Sequence, residues 1–160
     1  ARGGLVMEED LLAALESGKV ACYVTDFPDN ALAQARNVVP IPHLGASTPE
    51  SEENCAVMAA QELRDYLETG NIRNSVNLPD LEQPWSGETR ICVIHRNVPS
   101  MLASITTVLS QDQVNVANLT NKSKGSYAYT VVDVDSRVGD AVADAIRAIG
   151  GVLRVRVLRH

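Results

Sequence analysis

The stretch RICVIHRNVPSMLASITTVLSQDQVNVANLT, residues 90–120, decides the fold of the larger part of this chain. It opens with residues 90–95, an apolar run rich in β-branched side chains that reads as a strand. From residue 99 the period changes. Met101, Leu102, Ile105, Val108 and Leu109 fall on one face of a helix that Pro99 opens and that runs to Gln111. Residues 114–120 read as a second strand and 127–134 as a third, with a turn through residues 121–125 between them. Residues 137–149 place Val138, Ala141, Val142, Ala145, Ile146 and Ile149 in helical register, and Gly150 and Gly151 stop them. Residues 152–158 (VLRVRVL) alternate apolar and basic side chains, which suits a strand with one wet face. The order βαββαβ gives, in its commonest form, a four-stranded antiparallel sheet with both helices on one face, the ferredoxin-like split βαβ. That is a fold and not yet a function.

Upstream, residues 8–17 form a short amphipathic pattern on Leu11, Leu12 and Leu15, with acids in the first turn and Gly18 at its end. Residues 19–25 (KVACYVT) read as a strand buried on both faces, and residues 37–42 (NVVPIP) as a second strand. With residues 29–36 as a short crossover helix, the arrangement is parallel α/β. Ser47-Thr48-Pro49-Glu50 reads as a capping box with Ser47 as the cap. The helix it opens carries one stripe, Cys55, Met58, Ala59, Leu63, Tyr66 and Leu67, ends at Gly70 and requires a packing partner. Residues 71–88, with Pro79, Pro84 and Gly87 and no sustained period, read as a linker. The expected organisation is therefore 1–70, a linker at 71–88, and 89–160.

Composition excludes several classes. Hydrophobic residues at 45% and charged residues at 21% describe a chain that buries a core. A net charge of −6 with both signs scattered argues against a nucleic-acid surface. Cys22, Cys55 and Cys92 are odd in number and lack CxxC spacing, so neither a disulfide framework nor a metal site is indicated. No apolar run reaches the length of a membrane span, and no signal-peptide pattern opens the chain, so the expected location is cytoplasmic.

Some residues invite a chemical reading beside a structural one. His43 lies just past a buried strand, where ligands gather in open α/β sheets, but a lone loop histidine is also an ordinary structural residue. Arg2 beside Gly3 and Gly4 suits either a carboxylate clamp or an exposed turn. His95 and Asn97 suit either a polar ligand or a strand end and helix cap, and Asn115 either a ligand or a turn.

The segments ARGGLV (1–6), LESGKV (15–20), PHLGAST (42–48), ELRDYLETG (62–70) and NSVN (74–77) resemble, in the same order, the C-terminal half of NAD-dependent D-2-hydroxyacid dehydrogenases, the 3-phosphoglycerate-oxidising branch above all. The resemblance implies that Arg2 orients the substrate carboxylate and that His43 is the general acid/base, steadied by a carboxylate. Where this family usually has a Glu, the chain has Asp26-Phe27-Pro28-Asp29 and a shortened loop. Asp29 is the nearest candidate partner for His43, and Asp26 is assigned to the cofactor side. No Gly-x-Gly-x-x-Gly follows a strand, so the fold expected for residues 1–70 is the truncated end of a Rossmann-type domain plus a return helix. Such a piece is expected neither to bind NAD nor to turn over substrate, and its 55–67 stripe lacks its partner.

Residues 89–160, with Ile94-His95-Arg96-Asn97-Val98-Pro99, resemble the ACT regulatory domain. The resemblance implies that His95 and Asn97, with Asn115 from a neighbouring subunit, bind an amino-acid effector, serine, and that the domains self-associate. Ser100 and Gln113 stand where that family usually has Gly. The function so implied for the parent is oxidation of 3-phosphoglycerate to 3-phosphohydroxypyruvate in L-serine biosynthesis. A stand-alone amino-acid-binding regulator and a dehydrogenase of another 2-hydroxy acid are the alternatives.

Overall fold

A computed structural model of the protein describes residues 2–159. The chain divides into two compact units, Ala1–Ala56 and Val57–His160. No helix among the described residues is long and apolar enough to cross a membrane.

In the first unit, α1 (Glu8–Glu16) carries Glu8, Glu9 and Asp10 in its first turn, where the helix dipole favours negative charge. Its Leu11 and Leu15 are buried against Leu32 of α2 (Asn30–Gln34), with Leu12, Val20, Tyr23 and Val38 around them. The strands β1 (Tyr23–Thr25) and β2 (Val38–Pro40) pair in parallel, Tyr23 opposite Val38, so α2 is the crossover that the sequence led us to expect. Both strands are shorter than that expectation, and residues 19–25 are not buried on both faces. Val24 and Val39 remain 58% and 46% exposed, because among the described residues only one face of this two-stranded pair is covered.

The long helix α3 (Pro49–Thr69) starts one residue later than the capping box suggests. Thr48 Oγ1, not Ser47, accepts the Ser51 amide at 3.2 Å. Pro49 occupies the first helical position, where a missing N–H costs nothing and the fixed φ suits a helix. No residue of α3 is buried, and of its stripe Met58, Leu63 and Leu67 are more than half exposed. Gly70, at φ +75°, ends it in the left-handed conformation. The boundary between the compact units falls inside this helix rather than at residue 70.

The second unit contains β3 (Thr89–Arg96), α4 (Met101–Gln111), β4 (Val116–Lys124), β5 (Tyr127–Val134), α5 (Asp140–Arg147) and β6 (Val152–Arg159). The sheet order is β4-β5-β3-β6 and every neighbouring pair is antiparallel. Ile91 and Val93, Val132 and Val134, and Val155 point to one face, where Ile105 and Leu109 of α4 and Val142, Ala143 and Ile146 of α5 close the core. Both helices therefore lie on that face, as the βαββαβ order implies. Each such fully buried aliphatic side chain contributes roughly 1.5–3 kcal/mol. β4 runs to Lys124 instead of ending in a long turn, and the chain reverses through Gly125 and Ser126 alone, with Gly125 at φ +58°. Its polar tail, Asn121 to Lys124, is what an exposed edge strand tolerates.

The second face of the sheet is not simply wet. Residues 71–88, expected as a linker, fold onto it: Ile72 and Leu81 are buried against Cys92, Tyr129 and Val131, with Tyr66, Leu78, Ile94 and Leu158 alongside. A single isolated bridge, Ile72 to Leu81, organises this segment, so no period reveals it in the sequence. Arg156 of β6 donates to the carbonyls of Tyr66 and Leu67 and stacks on the Tyr66 ring at 4.3 Å. Deeper in, Arg90 and Asp133 are fully buried cross-strand partners. Arg90 Nε and Nη2 donate to the two Asp133 oxygens at 2.6 and 2.7 Å, and Nη1 and Nη2 donate to the carbonyls of Thr69 and Pro84. Asp133 also accepts from Gln83 Nε2, the Ser86 amide and the Ser86 hydroxyl. Burial works to raise the Asp133 carboxyl, but Arg90, Gln83 and Ser86 outweigh it and the net direction is down. A buried arginine in an apolar strand demands such an acid opposite it, which is the signal that could have located this pair.

Candidate functional sites

In the first unit the His43 ring sits beyond the end of β2. Its Nδ1 lies 2.7 Å from Asp26 Oδ2, just after β1, and its ring centroid is 4.5 Å from that of Phe27. The hydrogen bond from His43, first among its causes, holds the Asp26 carboxyl down at about 2, so it is ionised at neutral pH. An ionised carboxylate only accepts, so Nδ1 carries the proton it donates and Nε2 is left to exchange one. The carboxylate beside His43 is thus Asp26. Asp29, the expected partner, is spent elsewhere: its Oδ1 accepts the Leu32 amide at 2.8 Å and caps α2. That amide also lowers its pKa, while its hydrogen bond to Glu8 raises the Glu8 carboxyl. Arg2 and Asp29 line one cavity of about 170 Å³ with Phe27 and Thr25, and neither His43 nor Asp26 is on its walls.

The residues present do not build an NAD site. The chain has no Gly-x-Gly-x-x-Gly turn, and Asp26, assigned to the cofactor side from the resemblance, is engaged with His43.

In the second unit His95 is 2% exposed. Its Nδ1 donates to the Arg96 carbonyl at 2.8 Å, and its Nε2 lies 2.8 Å from Thr130 Oγ1, which is itself 2.8 Å from Asn121 Oδ1. Both ring nitrogens are therefore used inside the chain, and His95 has the geometry of a buried strand-end residue. Asn97 is exposed, its amide donating to the Ser126 carbonyl and its Nδ2 to the Gly125 carbonyl. It does not cap α4. Ser100 stands at that cap in the left-handed conformation, φ +67°, with no side-chain capping bond. Asn115 is exposed too, and its Nδ2 donates to Asp135 Oδ2 at 2.5 Å.

The three expected effector residues do not converge within one chain. His95 and Asn97 lie at the sheet end where β3 meets Ala128 and Tyr127, and Asn115 at the end where Val116 meets Val134. The length of β3 separates those ends by roughly 25 Å.

No family model matches the chain. It is 32% identical over 129 residues to the D-3-phosphoglycerate dehydrogenase of Escherichia coli K12, an alignment covering 79% of this chain and 32% of that protein. With the enzyme of the same name from Haemophilus influenzae it shares 30% identity over 170 residues, covering 99% of this chain and 42% of the relative. The chain thus spans less than half the length of these relatives. Among solved structures it is similar to the ACT domain from GTP pyrophosphokinase of Chlorobium tepidum, with a TM-score of 0.40 at 20% identity over 45% of this chain and 97% of that one. It is also similar to the regulatory subunit of aspartate kinase from Thermus thermophilus, with a TM-score of 0.39 at 14% identity over 44% and 50% of the two chains. The architecture described above rests on its own strand order and not on these likenesses. The resemblance to D-3-phosphoglycerate dehydrogenases, first read from short collinear motifs, holds across most of this chain.

Proposed function

We propose that these residues are the C-terminal part of an NAD-dependent 3-phosphoglycerate dehydrogenase of L-serine biosynthesis, ending in an ACT domain that binds an amino-acid effector, serine. The observation that carries the catalytic half of this reading is the His43–Asp26 pair. With Nδ1 held by an ionised carboxylate, Nε2 is the atom that takes the hydroxyl proton of a 2-hydroxy acid, and Arg2 offers a guanidinium for the acid's carboxylate. NAD, bound by the parent, supplies the hydride acceptor. Residues 1–70 are read as the end of its nucleotide-binding domain with the return helix, and the 160 residues alone are expected to be inactive.

The regulatory half rests on Asn97 and Asn115, exposed amides that complement a zwitterion. Since one chain holds them at opposite sheet ends, the effector site is read as shared between two copies, paired through the open edges β4 and β6. His95 is hydrogen-bonded to the Arg96 carbonyl, next to Asn97. In calorimetry the chain is expected to bind L-serine and Asn97→Ala to abolish the heat. Unchanged affinity in that variant, with an intact fold by circular dichroism, would remove the effector assignment.

A further inference from the structure

The strand register gathers one group of charges that the proposed function does not use. Alternation from the face-two residues Cys92 and Tyr129 places Arg96 of β3, Tyr127 of β5, Lys122 and Lys124 of β4 and Arg154 of β6 on the second face of the sheet, toward its Arg96 end. Tyr127 is the cross-strand partner of both Arg96 and Lys124, and Tyr129 that of Lys122 and Ile94, with Arg154 opposite Ile94. Strand spacing of about 4.8 Å and a two-residue step of about 7 Å put these cations within an area about 15 Å across. All are exposed, as is Tyr127 at 37%.

Among the described residues none of these cations pairs with a carboxylate. The Arg96 guanidinium lies 5.7 Å from the Tyr127 ring centroid, and Lys124 Nζ donates to the Ser75 carbonyl at 2.9 Å. The chain carries 20 acidic residues, so the isolation of this cluster is not a shortage of partners. Adjacent like charges on one sheet face repel, and a multivalent anion relieves that repulsion.

We propose that Arg96, Lys122, Lys124 and Arg154, arranged around the Tyr127 ring, form a binding surface for a polyphosphate anion that carries a planar ring, of the nucleoside diphosphate type. Guanidinium and ammonium groups on long side chains can converge on phosphate oxygens, and the partly exposed Tyr127 ring among them offers a stacking platform for the ring. The surface is flat and wet, so its affinity falls with added salt.

The test is a titration of the isotope-labelled 160-residue chain with adenosine diphosphate, pyrophosphate and a polyglutamate peptide, followed by amide NMR at low and physiological salt. The expected result is shifts confined to residues around 96, 122–127 and 154, with affinity falling as salt rises. Lys122→Glu with Arg154→Glu weakens diphosphate binding at least tenfold, and Tyr127→Ala lowers adenosine diphosphate to the level of pyrophosphate. Lys122→Gln, which removes the charge but keeps an unbranched polar side chain, repeats the weakening to a smaller degree and guards against misfolding in the double variant. The proposal fails if the shifts fall elsewhere, if the charge variants bind as the parent does, or if pyrophosphate binds as tightly as the nucleotide. It fails equally if polyglutamate binds more tightly than adenosine diphosphate, which assigns the surface to an acidic protein.

Discussion

Replacing Arg90 by Met leaves the Asp133 carboxylate buried without its cation and frees the carbonyls of Thr69 and Pro84. Both side chains of the pair are 0% exposed, so solvent cannot compensate. Removing one partner of such a pair costs about 3–5 kcal/mol, mainly because the other charge is stranded. At a urea slope of about 1.5 kcal/mol per molar for a domain of this size, the unfolding midpoint falls by about 2–3 M. Asp133→Leu alone strands the guanidinium and costs a similar amount. The double variant Arg90→Met/Asp133→Leu strands neither, so its loss is smaller than the sum by at least about 2 kcal/mol. Urea unfolding followed by circular dichroism reports the whole unit. Trp85, the chain's one tryptophan, lies 4.7 Å from the Arg90 guanidinium and reports residues 71–88 by fluorescence. Single-variant losses under about 1 kcal/mol, or strictly additive losses, would show that the pair does not fasten this segment to the sheet.

Two further outcomes are expected. Carboxyl NMR should place Asp26 at about 2, and His43→Ala should return it toward 3.8. A depressed carboxyl stabilises the fold in full above its unfolded value and loses that contribution as pH falls from about 4 toward 2; a titration of Asp26 unmoved by His43→Ala would refute the pairing. Gly70→Ala should destabilise the second unit by roughly 1–2 kcal/mol from the left-handed φ alone, and by more because the new Cβ would collide with Cys92 Sγ. Thermal unfolding at parental temperature would contradict it.

The sheet unit was legible because its signals are local. A buried strand followed by a helix face shows itself in the spacing of Ile91, Val93, Ile105 and Leu109, whatever lies elsewhere. The covering of the second face was hidden, because Ile72 and Leu81 are two apolar residues in an aperiodic, proline-bearing stretch and only the sheet beneath gives them a place. For the carboxylate beside His43, sequence reasoning chose Asp29, whereas the structure places Asp26 there. Both aspartates lie within the same short loop, and only the α2 cap, a three-dimensional constraint, takes Asp29 out of contention. The positions of His95, Asn97 and Asn115 relative to one another were not legible, since linear spacing says nothing of which sheet end a residue occupies. His95 shows the same limit: a polar residue at a strand end looks available until its two ring nitrogens are followed to Arg96 and Thr130.

The grip of Arg156 on the carbonyls of Tyr66 and Leu67 has a consequence for the order of synthesis. Those groups are 90 and 89 residues apart in the chain, and β6 is the last of the four strands of its sheet to be made. At roughly 5–20 residues per second on a ribosome, the end of α3 waits several seconds for its guanidinium. During that interval β3, interior in the finished sheet, has β5 on one side and a bare edge on the other. The nascent chain is therefore most exposed to wrong pairing just before the eight residues of β6 emerge to cover that edge.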